Sequence, residues 1–187
     1  MQARGASTSL RFARRVAADP AAAVARWRAV SAGKSVGCSP PIPVPEILHA
    51  AGLLAVFLRD PGTAGELSRG IDAWVLAPEA PGPPANGLGK PRFDFPRAVP
   101  PGIPDSLDLL EALAEWAGGL SGRPVTEGGL WNSIRTFREW RHLLRLLREG
   151  NGTGPRGFRS GAVREIVRAG DFLPPEAHSR LIARFLG

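Results

Sequence analysis

Residues 35–59, SVGCSPPIPVPEILHAAGLLAVFLR, leave the chain few ways to fold. Val36 opens a brief extended run. The prolines Pro40, Pro41, Pro43 and Pro45 then forbid helix until the last of them, which suits a helix's first position. Residues 46–51 can turn helically, and Gly52 can adopt the left-handed conformation that ends a helix. The following LLAVFL is apolar without alternation, which predicts a strand covered on both faces. Strand, helix and second strand make a compact βαβ unit. Such units carry their working atoms at the carboxyl ends of the strands and at the helix amino terminus, where unpaired N–H groups favour an anion. Cys38, Ser39 and the proline loop occupy that place.

The surrounding pattern predicts an α/β fold: a small, mostly parallel sheet with flanking helices and a helical carboxyl-terminal part. Apolar Leu10, Phe12, Val16, Val24, Trp27 and Val30 follow helical spacing, broken at Asp19-Pro20, where aspartate can cap and proline can lead a second helix. After the βαβ unit, RDPGTAGELSRG is turn-rich, IDAWVLA has strand character, and PEAPGPPANGLGKP reads as loop. RFDFP predicts a fourth strand. With no crossover helix between Ala77 and Arg92, that strand is expected to be antiparallel or at an edge, unless a crossover has been lost. Asp105 is a cap for SLDLLEALAEWAGGL, which Gly118-Gly119 ends. Thr126 caps a long helix with Leu130, Ile134, Phe137, Trp140, Leu144 and Leu147 on its apolar stripe. SGAVREIVRAG and PPEAHSRLIARFLG close the chain as shorter helices. The segments are thus amino-terminal helices over 1–33, the βαβ core over 34–77, a Pro/Gly-rich linker with an edge strand over 78–104, and a helical part over 105–187.

A chain of 187 residues can bury a real core as one domain, or as one domain with a helical appendage. The net charge of +7 is carried almost wholly by arginine, which attracts anions. Abundant alanine, glycine and proline with no tyrosine fit a coding bias equally well, so nucleic-acid binding is not the expected function. A single cysteine excludes an internal disulfide and a four-cysteine zinc site, and points to an intracellular, cytoplasmic protein. No apolar run is long enough to cross a membrane. There is no phosphate loop of the G-x-x-x-x-G-K-S type, and the three histidines lack metal-ligand spacing on one helix. Cys38 as nucleophile with His49 as base is a pairing that the spacing permits but does not require.

Several separated strings share one further pattern. VGCSPPIPVPEILHAAGLLAV, SIRTFREWRHLL, the closing SGAVREIVRAGDFLPPEAHSRLI and the opening AADPAAAVARW resemble the 2-hydroxyacyl-CoA dehydratase and benzoyl-CoA reductase family. The likeness covers about residues 10–58 and 105–186 in family order. IDAWVLAPEA is similar to a family strand that runs into a cysteine-aspartate pair, but Pro78-Glu79 stands there. The middle is shortened, and the portion missing is the one that carries much of the family's cluster and substrate site.

The resemblance implies a subunit acting on an acyl-CoA thioester. In that chemistry an ATP-dependent activator supplies an electron, which an iron-sulfur cluster passes to the thioester carbonyl to form a ketyl radical. It also implies a second dehydratase-type subunit as partner and no membrane. Ser39, Glu46, His49 and Arg141 are the substrate-loop candidates, with Arg141 matching a family arginine and Arg138 standing where the family has asparagine. Cys38 is a candidate remnant ligand of the cluster. One thiolate cannot hold four irons, so a cluster would need ligands from another chain; otherwise there is no cofactor. Two alternatives stand beside this: a cluster-free, non-catalytic partner or vestigial paralogue of such a subunit, and an arginine-rich nucleic-acid-binding protein.

Overall fold

The computed structural model describes residues 2–39, 45–59, 61–77, 89–96, 103–150 and 160–187, the side chains of residues 2–4, 61 and 103–105 excepted. The loop prolines Pro40, Pro41 and Pro43, the pair Pro78-Glu79 and the helix-stopping Gly152 and Gly154 lie outside them. The fold is α/β. In chain order the elements are α1 (Gln2–Ala18), α2 (Pro20–Ser31), β1 (Ser35–Cys38), α3 (Pro45–Ala50), β2 (Leu54–Phe57), α4 (Pro61–Leu67), β3 (Ala73–Leu76), β4 (Arg92–Asp94), α5 (Ile103–Ser121), α6 (Glu127–Glu149), α7 (Ser160–Ala169) and α8 (Pro175–Leu186). The chain divides into two compact units, Met1–Ala23 with Ile134–Gly187, and Val24–Ser133.

The second unit holds the sheet, whose strand order is β2-β1-β3-β4 with every pairing parallel. β1 and β3 are buried along their whole length. Their apolar side chains point alternately to two faces. Val36, Cys38, Ala73 and Val75 join Ile47 and Leu48 of α3, Ala51 just after it, and Leu113 and Ala117 of α5 in one apolar cluster. Gly37, Leu54, Val56 and Trp74 face the other way. The βαβ unit forms as its sequence requires. At the end of α3, Leu53 N–H donates to Leu48 O and Gly52 N–H to His49 O, both at 2.9 Å. Gly52 takes a φ of 77° to allow it.

Three expectations need correction. β2 is an edge strand, with Leu54 and Val56 buried and Ala55 and Phe57 only partly so. RDPGTAGELSRG is not all turn: Pro61–Leu67 is helix α4, led by its proline and held by the burial of Leu67 and Thr63 despite two glycines. The expectation for β4 holds: it lies at an edge, parallel to β3 and in register through Trp74↔Arg92 and Leu76↔Asp94. Helix α5 begins at Ile103, ahead of Asp105, so that aspartate stands within the first turn and not at the cap. It also passes through Gly118-Gly119 to Ser121, because the turn that ends it needs Gly122 at φ 72° and closes with Arg123 N–H on Gly118 O at 3.1 Å.

Every described element of the first unit is a helix. α1 packs against α7 and α8. Ala13 and Val16, Phe137, Leu144 and Leu147, Val163 and Ile166, and Leu181, Ile182 and Phe185 supply its buried apolar residues. The break at Asp19 is a cap, Asp19 Oδ1 accepting from Ala22 N–H at 2.9 Å. Thr126 Oγ1 caps α6 in the same way, 3.1 Å from Gly129 N. Among the described residues no helix is long and apolar enough to cross a membrane.

Candidate functional site

The carboxyl end of β1 is where the sequence places chemistry. Cys38 is the last residue of that strand, in register with Phe57 on one side and Val75 on the other. It has no exposed surface, and its S–H donates to Val36 O at 3.5 Å. Burial pushes the thiol far above the ordinary cysteine range, and the backbone of Val56 offsets only part of the rise. The thiolate is the form that attacks or binds iron, and this environment suppresses it. The sulfur belongs to the apolar cluster of Ile47, Ala51 and Val75. Among the described residues no group of three or more His, Cys, Asp or Glu side chains is placed to hold a metal ion. The described residues, a buried thiol with no ligand group beside it, therefore do not fit an iron-sulfur cluster held by this chain alone.

Ser39 is committed to the scaffold. Its N–H donates to Val75 O at 3.2 Å, and its Oγ accepts from Ala77 N–H at 2.9 Å. Leu58 N–H donates to Cys38 O at 2.9 Å on the opposite side. Together these bonds fasten the carboxyl ends of β1, β2 and β3 to one another.

Glu46 and His49 meet at a residue the sequence did not single out. Ser133 Oγ–H donates to the Glu46 carbonyl at 2.7 Å, and Ser133 Oγ lies 2.9 Å from His49 Nδ1. A hydroxyl has one proton, and the carbonyl can only accept it. His49 must then be the donor, with its proton on Nδ1. The three groups join α3 to the first turns of α6. The Glu46 side chain is buried in the first turn of α3, where the helix dipole favours its charge. Ser133 is only 1 % exposed although the apolar stripe counts Ile134 in its place. Its spacing of three from Leu130 and four from Phe137 was the available signal, masked because serine does not score as apolar.

The Cys38–His49 pair does not form a nucleophile and base: the thiol proton goes to a backbone carbonyl, and imidazole Nδ1–H is directed to Ser133. Arg141 belongs to the other unit, exposed, with its guanidinium carbon 5.9 Å from the Phe137 ring centroid. With Arg135, Arg138, Glu139, His142 and Arg145 it lines an open depression on α6. No protein-family model matches the chain, and no curated protein matches it.

Proposed function

We propose that the chain is a cluster-free, non-catalytic partner of a 2-hydroxyacyl-CoA dehydratase-type subunit, retaining the family's βαβ and helical scaffold in the cytoplasm. The single observation that carries this reading is the burial of Cys38 inside the core, with its proton held by burial and directed to Val36 O. Ser39, Glu46 and His49 support it, because their polar or backbone atoms are engaged in fastening strands and helices together. In this reading the acyl-CoA substrate and the ATP-dependent activator belong to the cluster-bearing subunit. The chain's own contribution is a packing surface.

The test is anaerobic gel filtration of the chain mixed with a full-length, cluster-bearing dehydratase subunit. The expected result is a complex whose iron equals that of the full-length subunit alone and is unchanged by Cys38→Ser. Failure to co-elute would sink the partner role. Iron in excess of the subunit's own, lost on Cys38→Ser, would instead restore a shared cluster and a catalytic chain.

A further inference from the structure

We propose that the outward face of α6 in the first unit docks an acidic helix of another polypeptide. This rests on the partner reading only in requiring that a partner chain exists. Arg135, Arg138, His142 and Arg145 recur at spacings of three, four and three, which places them on one side of the helix. The buried side of the same helix is marked by Phe137, Leu144 and Leu147. All four basic residues are exposed and line the same depression. They run for about 15 Å along the axis.

Part of their charge is answered among the described residues, where Arg135 also has an interaction. Arg145 Nε lies 3.8 Å from Glu149, and its Nη2 lies 3.0 Å from His142 Nδ1, which holds that guanidinium in place. Arg138 makes no hydrogen bond or ion pair among the described residues. Leu146, 39 % exposed, adds an apolar contact beside the stripe. Guanidinium groups one helical turn apart match carboxylates at the same spacing on a facing helix, each pair able to bond in bidentate fashion.

Charge also decides against a second copy of this chain, which packed on this face would set arginine against arginine in a chain already at +7.

Fluorescence anisotropy of a labelled helical peptide with glutamate at every third or fourth position tests the assignment, with labelled oligothymidine as comparison. Arg135→Glu combined with Arg138→Glu should weaken peptide binding roughly tenfold, whereas Arg11→Glu with Arg14→Glu, the same charge change on exposed positions of α1, should leave it within about twofold. Arg138→Gln, which keeps the side chain's stem and the fold, should repeat the loss to a smaller degree. Equal weakening by both charge reversals would reduce the effect to net charge and overturn the site. So would oligothymidine binding that drops as far as the peptide's, or no peptide binding at all. None of these outcomes depends on iron, so this proposal and the cluster-free reading fail separately.

Discussion

Replacing His178 with alanine is expected to destabilise the first unit by roughly 3–5 kcal/mol, a large part of the stability of a domain this size. His178 has no exposed surface. Trp140 Nε1–H donates to its Nδ1 at 2.7 Å, and its Nε2 lies 2.8 Å from Ile166 O. Indole nitrogen only donates and a carbonyl only accepts, so the ring is fixed as the neutral Nε2–H tautomer. It thereby ties α6, α7 and α8 together. Truncation leaves a cavity and strands both Trp140 Nε1–H and Ile166 O. Gly170 lies against the same ring, and a Cβ there would overlap it, so Gly170→Ala should act in the same direction.

The same geometry makes stability depend on pH. Burial pushes His178 down to about 4, with the Ile166 carbonyl offsetting part of that shift. In the unfolded chain the imidazole takes its proton near the ordinary value of 6.5. Between these values the unfolded state binds more protons, so stability falls as pH is lowered through that window. The loss attributable to His178 approaches about 3 kcal/mol by its lower end and is absent above its upper end. Urea unfolding at pH 7 and pH 5, for the native chain and for His178→Gln, measures it. The native chain should lose more stability than the variant across that interval; equal slopes would contradict the assignment.

Asp72→Ala should cost the sheet unit roughly 2–3 kcal/mol. Asp72 stands at the amino ends of β1 and β3, opposite the candidate site. Its Oδ1 accepts from Arg28 Nη2 at 2.9 Å, and its Oδ2 accepts from Ser35 N–H at 2.8 Å and lies 3.2 Å from Ser35 Oγ, whose proton goes to Gly70 O at 2.6 Å. Arg28 Nη1 donates in addition to Gly70 O at 2.9 Å. Removing the carboxylate leaves the Ser35 N–H and a partly buried guanidinium with less to bond. Asp72→Asn should recover little, because an amide offers Arg28 and Ser35 one acceptor where they now share two. Denaturant midpoints of the two variants give the answer, and a loss below about 0.5 kcal/mol for Asp72→Ala would show the cluster to be ornamental.

Much of this architecture was legible because the chain uses strong local signals. The proline-led start of α3 and the glycine after it bracket a helix with only one place to go, and Asp19-Pro20 marks a helix junction by both cap and first-position chemistry. What was hidden depends on tertiary partners. Nothing in PGTAGEL favours helix over turn until Leu67 and Thr63 are buried, and β4 owes its edge position to pairing with β3. The candidate site was legible as residue types and not as packing. Residue types marked Cys38, Ser39, Glu46 and His49, but only the fold reveals that the thiol faces the core and that Ser133, 84 positions beyond His49, joins the two polar residues of α3. Asp72 and His178 carried no motif, and their weight comes from the donors and acceptors that converge on them.

The reading of the chain as cluster-free is tested most directly by iron and acid-labile sulfide content after anaerobic reconstitution of the purified chain, run in parallel with Cys38→Ser. The account predicts the same negligible iron in both. Near-stoichiometric iron and sulfide in the native chain, lost in Cys38→Ser, would contradict it and place Cys38 among the ligands of a working cluster.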